Sequence, residues 1–194
     1  LGYTISYVMI ISSVARMWNK DGFNKMEMAK REFLTALSVK SASLSWGAPN
    51  FNFSPYSARI NRAGRDLNQG VLTILEAADQ DYADTYGLEI VAGKFFFDEG
   101  ESFQANRIVI NETAQKAFSV EVGDKVRIEF SDQEFTIVGI VKDFNFESFH
   151  EPLKPVAFTH TRDFGAFRYF SFKLNPGSVA ESIQEVERAW KKVF

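Results

Sequence analysis

Apolar and polar positions change period several times along this chain, and each change marks an element. Tyr7-Val8-Met9-Ile10-Ile11 is an unbroken apolar run, which predicts a strand buried on both faces. After the polar gap Asn19-Lys20-Asp21-Gly22 the period becomes helical, and Met26, Ala29, Phe33 and Leu37 fall on one stripe. Asn24 is placed as its cap, with Glu27 closing a capping box and Phe23 and Met28 at staple positions. Glu27 and Arg31 make a weak pair on the outer side. From Val39 the period is two. Ala42, Leu44 and Trp46 point one way and Ser41, Ser43 and Ser45 the other, the pattern of a half-buried strand. Gly47-Ala48-Pro49-Asn50 breaks it, and Tyr56, Ala58 and Ile60 resume the alternation. A turn or mobile loop is expected over Asn61–Gly70 and a strand over Val71–Leu75. A short helix follows, capped by Asp79, running to Tyr86 and stopped by Gly87.

Beyond Gly93-Lys94, Phe95-Phe96-Phe97 runs into a polar joint, Asp98-Glu99-Gly100-Glu101. Ile108-Val109-Ile110 predicts a short strand, and Asn111 caps a helix through Phe118. Val126, Ile128 and Phe130, then Phe135, Ile137 and Ile140-Val141, flank the turn Ser131-Asp132-Gln133 as a β-hairpin. Pro152 and Pro155 bracket an extended crossing. Tyr169, Phe170 and Phe172 form a strand, and Asn175-Pro176-Gly177 turns the chain. Ser178 with Glu181 makes a second capping box. Val179, Ile183, Val186, Trp190 and Val193 form a seam on a last helix, with Lys191 and Lys192 at its C-terminal end. The closing strand and helix are expected to rejoin the first sheet, because such a helix must cover a sheet face. The abrupt opening at Leu1-Gly2 and the uncapped last helix predict a segment cut from a longer protein.

Composition narrows the class. The chain has 194 residues, 45% hydrophobic and 24% charged, which is a folded protein large enough to need no disulfide or metal staple. Its 20 phenylalanines against 5 prolines predict a phenylalanine-rich core. Lys and Arg total 22 against 25 Asp and Glu, so no basic face for nucleic acid is implied. Without cysteine there is no disulfide framework, thiol nucleophile or thiolate metal site. The start lacks the basic region and cleavage site of a signal peptide, and no apolar run reaches bilayer length.

The candidate chemistry is sparse. Asp79, Asp81 and Asp84 cluster, but their spacing is not that of a calcium loop, and the simpler reading is an acidic helix start. His150 and His160 lie too far apart and with too few companions for zinc, and each is read as a surface or hydrogen-bonded side chain. Neither a Gly-x-Ser-x-Gly elbow nor a phosphate loop occurs. Phe144, Phe146 and Phe149 have too few cations among them for a nucleic-acid platform. No catalytic, cofactor-binding or metal residue is therefore expected, and no cofactor.

One ordered set of segments is more specific. It comprises Ala78-Asp79-Gln80-Asp81-Tyr82, Tyr86 to Phe96, Ile108 to Ala114, Val122-Gly123-Asp124-Lys125-Val126, and Val138 to Pro155. This order resembles the extracytoplasmic core domain of MacB/FtsX-type ABC transporter permeases, over nearly the whole chain. The resemblance implies an α+β fold: a porter-like subdomain made of two chain pieces, 1–95 and 166–194, with a small β-rich, sabre-like subdomain inserted at 96–165. It implies a non-catalytic periplasmic domain held between membrane helices of an inner-membrane permease. The ATPase would be a separate cytoplasmic subunit, reached through those helices. It further implies a periplasmic adaptor or lipoprotein as partner, no nucleic acid, a dimeric parent and a monomeric fragment. The polar stretch Trp46–Gly70 is the expected contact loop. Two other readings stand beside it. One is a periplasmic ligand-sensing module with a small-molecule site between the subdomains. The other is a hydrolase using Asp79 or His150.

Overall fold

The structure, a computed structural model, describes residues 7–11, 18–49, 56–97, 102–144, 152–177 and 179–193. Strand β1 (Tyr7–Ile11) pairs antiparallel with β10 (Tyr169–Leu174), Tyr7 opposite Leu174. Its other edge meets no strand among the described residues. The expected two-faced burial is therefore not found: Tyr7 is exposed and the other four are half-buried. Helix α1 (Lys20–Phe33) begins earlier than expected, because Asn19, not Asn24, accepts the Gly22 amide at 2.8 Å. That start puts Phe23 on the buried stripe with Met26, Ala29, Lys30 and Phe33, and leaves Met28 exposed. Leu37 lies beyond the helix end and is 89% exposed, so the stripe stops at Phe33.

Strand β2 (Val39–Ser45) lies between β10 and β4 (Val71–Ala78). Its alternation predicted one wet face, yet Ser43 and Ser45 are fully buried. Helix α2 (Tyr82–Tyr86) covers the serine face: the Ser41 and Thr85 hydroxyl oxygens are 3.2 Å apart. Tyr86 reaches Ser171, the register partner of Ser43, at 2.6 Å. On the opposite face α1 and α5 (Val179–Val193) pack side by side, with Trp190 6.0 Å from the Phe33 ring. Phe167, Phe170 and Phe172 fill the space between these helices and the strands. The closing strand and helix thus do rejoin the first sheet. The buried positions of α5 are Ser182, Val186 and Ala189, while Val179 and Ile183 remain exposed, so the seam is rotated from the one expected. Ser178 lies outside the described residues.

A second body is a closed ring of strands. Its members are β3 (Tyr56–Arg62), β4, β6 (Arg107–Asn111), β7 (Lys125–Ile128), β8 (Glu134–Val141) and β9 (Val156–His160). The pairings run β4–β3–β7–β8–β6–β9 and return to β4; β6–β8 and β4–β9 are parallel and the rest antiparallel. Closure removes the free edges that an open β-rich unit would expose. Successive residues face opposite sides: Leu75, Ile108 and Ala157 point into the ring, while Ile74, Val109 and Phe158 join an outer cluster with Tyr82, Phe95 and Phe96. The hairpin β7–β8 forms as its pattern predicts. Helix α3 (Glu112–Phe118) lends Ala114 and Phe118 to the ring core. Asn111 caps it, accepting the Ala114 amide at 3.0 Å and the Val156 amide at 2.9 Å. Strands β5 (Ile90–Gly93) and β9, and helix α4 (Thr161–Phe164), carry no pattern that separated them from loop.

β5 and β8 approach so closely that two glycines are required. Gly93, at φ +66, lies opposite Gly139, and a Cβ on Gly139 would fall on the Lys94 carbonyl oxygen. Gly139→Ala is expected to cost about 3 kcal/mol through displaced backbone. Urea unfolding of the variant against the parent chain checks this.

Among the described residues the two bodies share one strand pair, Ser45 opposite Ala78. Further bonds cross there, among them Trp46 N–H to the Ala77 carbonyl at 2.8 Å, Asp79 N–H to the Leu44 carbonyl at 2.9 Å, Leu44 N–H to the Asp79 carboxylate at 2.8 Å and Gly47 N–H to the Glu76 carboxyl at 2.6 Å.

Candidate functional site

Charge is concentrated where α1 crosses the end of β4. Lys30 sits at i+4 from Met26 and i−3 from Phe33, inside the apolar stripe, so its ammonium is carried into the core. It meets Asp79 at 2.9 Å, Asp81 at 2.6 Å and Glu27 at 3.3 Å. Burial pulls the Lys30 pKa down, but the charges of Asp79, Glu27 and Asp81 outweigh it and hold the ammonium protonated. Burial also pushes the Asp79 carboxyl up, against the pull of Lys30. Its oxygens accept from Asp81 N–H at 3.1 Å, Leu44 N–H at 2.8 Å and Lys30 Nζ. All three partners are donors, so the ionised form is the one this geometry satisfies. Asp79 is therefore no helix cap: α2 starts at Tyr82, and Asp79 ties α1, β2 and its own turn together. Asp84 stands apart from the pair, its carbonyl accepting from Lys173 at 3.0 Å.

Two further buried ionisable groups flank this junction. Glu76 faces outward from the ring on β4, between Ile74 and Ala78, and is fully buried. One carboxyl oxygen accepts from Gly47 N–H at 2.6 Å and Ala77 N–H at 3.0 Å, and the other has no partner. Burial drives its pKa up to about 8, opposed by the Gly47 and Ala77 amides. His160 ends β9 and is buried among Phe96, Phe97 and Phe103. Its Nδ1 accepts the Arg162 amide at 3.2 Å as the cap of α4, and its Nε2 lies 3.3 Å from Gln80. Burial, helped by Arg162 and Lys30, lowers its pKa to about 3, so it is a neutral structural group. Lys30 and Glu76 were missed by sequence reasoning, although each is a charge set inside an apolar period, which is the signal that finds them.

His150, Phe146 and Phe149 lie outside the described residues. Phe144 stacks on Phe158 with centroids 6.1 Å apart, a packing role. Trp46–Gly70, expected as a contact loop, carries β3 and a 3-10 turn at Leu67–Gln69, with 50–55 outside the described residues. Among the described residues no three His, Asp or Glu converge as metal ligands, and no helix is long and apolar enough to cross a membrane. A cleft of about 450 Å³ separates α1, at Asn24 and Arg31, from Phe103, His160 and Arg162. The arrangement binds elements to one another; none of it sets a nucleophile beside a base.

The periplasmic region of MacB from Actinobacillus actinomycetemcomitans is similar in structure, with TM-score 0.64 at 12% identity, covering 97% of this chain and 83% of that one. A domain of a putative permease protein from Porphyromonas gingivalis gives 0.56 at 16% identity, covering 85% and 69%. The extracellular domain of the noncanonical ABC-type transporter YknZ, from Gram-positive bacteria, gives 0.55 at 15% identity, covering 86% and 81%. No curated protein matches the chain in sequence. At these identities the likeness is one of fold, a mixed α/β architecture. Residues 8–189 match the MacB-like periplasmic core domain, and the chain belongs to that family: it is the periplasmic domain of a MacB/FtsX-like ABC transporter permease, a class that works with a cytoplasmic ATPase.

Proposed function

We propose that the domain is a non-catalytic transmission element, coupling ATP hydrolysis by a separate nucleotide-binding domain to work on a periplasmic substrate or partner protein. The observation that carries this reading is that the first and last described elements share one core. β1 pairs with β10, and α5 packs on α1 over the same phenylalanines. A displacement entering through either element moves one packed body, and it reaches the strand ring through the β2–β4 contact and the Lys30–Asp79 ion pair. We assign 1–95 and 166–194 as the porter-like subdomain and 96–165 as the sabre-like insert; β3 and β4, which belong to the 1–95 piece, pair into the strand ring with strands of the insert. A periplasmic adaptor or lipoprotein is the proposed partner, with a dimeric parent and a monomeric isolated domain.

The test uses the parent permease reconstituted with its ATPase. Replacing residues 8–189 by a short flexible linker should leave ATP hydrolysis measurable and reduce the periplasmic output to background. Unchanged output in the truncated permease overturns the proposal.

A further inference from the structure

The end of the strand ring opposite α3 opens into a cup of about 230 Å³. Leu75, Ile128 and Phe135 form its floor and belong to the ring core. Three aromatic rings stand around it. Tyr56 lies 5.6 Å from Phe130 and 6.3 Å from Phe164, centroid to centroid. Phe130 is 64% exposed, an unusual position where most of the other described phenylalanines are buried. Among the described residues a single charged side chain, Asp163, lines the cup, together with the hydroxyl groups of Ser131, Thr159 and Tyr56.

Asp163 has one hydrogen bond, accepted from the Asn106 amide at 3.1 Å, and no cationic partner among the described residues. The ionisable groups on adjoining elements are engaged elsewhere. Arg162 lies over the Phe103 ring, His160 bonds Gln80 and the Arg162 amide, and Arg107 bonds Gln104 and the Phe96 carbonyl. Glu129 accepts from the Arg59 amide, Glu134 pairs with Lys125 at 3.3 Å, Asp132 sits in the turn beside Ser131, and Tyr56 is itself a wall of the cup. Burial pushes the Asp163 carboxyl up to about 6, opposed by the Asn106 amide. An uncompensated, half-buried carboxylate beside three ring faces is complementary to one ligand chemistry. Ring faces carry negative quadrupole charge and attract cations whose apolar substituents they also desolvate.

We infer that this cup is a binding site for an organic cation, an ammonium group carrying apolar substituents, held between Tyr56, Phe130 and Phe164 with Asp163 as its counter-ion. The source is either a free small molecule or a lysine side chain of a partner. The inference is independent of the transmission role, because it concerns what the ring end holds and not how force crosses the junction.

The 194-residue chain is titrated by calorimetry with benzyltrimethylammonium, with its uncharged carbon isostere neopentylbenzene, and with acetyl-lysine methylamide. The ammonium compound is expected to bind and the isostere to bind more weakly. Its affinity should fall about tenfold between about pH 8 and about pH 5, as Asp163 takes up a proton. Asp163→Asn keeps an acceptor for the Asn106 amide and should abolish both the pH dependence and the preference for charge. Phe130→Leu, at an exposed position, should weaken binding without unfolding the chain. Binding of the lysine derivative alone assigns the site to a partner's lysine; binding of benzyltrimethylammonium alone assigns it to a free cation. Equal affinity for the charged and uncharged probes overturns the inference. So does a pH-independent affinity, or no binding of either cation at millimolar concentration.

Discussion

Replacing Lys30 by methionine should destabilise the domain by about 3–5 kcal/mol, because it breaks a buried ion pair. Methionine fills much the same volume and keeps the helix, so the loss is electrostatic. Its origin is Asp79, which has no exposed surface and whose carboxylate accepts from Lys30, Leu44 and Asp81. Removing the ammonium leaves a buried charge with two amide donors and no counter-ion. Asp81 and Glu27 contribute less, because their side chains are 38% and 22% exposed and can turn to water. For a domain of this size the loss corresponds to a fall in Tm of roughly 6–20 °C. The double variant Lys30→Met, Asp79→Asn should recover much of it, since the buried charge is then gone and asparagine still accepts one amide. Urea midpoints for the parent, the two single variants and the double variant form the cycle. A cost for Lys30→Met below about 1 kcal/mol, the value of an exposed pair, would show that the ion pair does not join the two bodies.

The same contact shows where the sequence is legible and where it is not. Two local devices read correctly, while the caps expected at Asn24 and Asp79 do not form. Asn111 caps its helix because the bond spans three residues, and Gly87 stops α2 at φ +72 because a left-handed turn selects glycine. The return of β10 and α5 to the first sheet follows from the need to cover apolar faces. What fails is set by partners distant in sequence. Ser43 and Ser45 alternate like solvent-facing residues but are buried, on a face whose Ser41 meets Thr85 of α2, contributed some forty residues later. β9 reads as a loop after Pro152 and Pro155 because all five of its residues are buried and none alternates in polarity. Closure of the ring depends on parallel β4–β9 and β6–β8 registers, which no local pattern encodes. The family-level resemblance needed none of this, since it rested on an ordered set of segments. The junction chemistry needed all of it: Lys30 and Asp79 are separated by 49 residues and meet only when both bodies are built.

The stability of the domain should form a plateau between about pH 4.5 and pH 6.5 and fall on both sides, with Glu76 setting the alkaline limb. Glu76 is neutral in the folded chain until about pH 8, whereas an unfolded glutamate ionises near 4.5. The folded state thus binds the extra proton, and its advantage is complete below pH 4.5 and lost as pH rises through 8. The slope is about 1.4 kcal/mol per pH unit, or about 4–5 kcal/mol over the window. His160 works in the opposite sense. Its folded pKa is about 3 against 6.5 unfolded, so its contribution is present above 6.5 and lost as pH falls towards 3. Between 4.5 and 6.5 the two slopes cancel. Two other raised carboxyls tilt the plateau with the same sign as Glu76: Asp163, raised to about 6 but half exposed, and Asp79, which burial pushes up against the pull of Lys30. Glu76→Gln isolates the alkaline limb. Glutamine keeps the oxygen that accepts from Gly47 and Ala77 and cannot ionise. Any fixed cost of the new amide shifts its whole profile without changing its slope. The variant should therefore gain on the parent by about 4 kcal/mol between pH 4.5 and pH 7.5. Unfolding midpoints in urea, measured for both proteins across this range, test it. Parallel profiles would mean that Glu76 is already ionised in the folded domain, and that its second oxygen has a partner strong enough to offset burial.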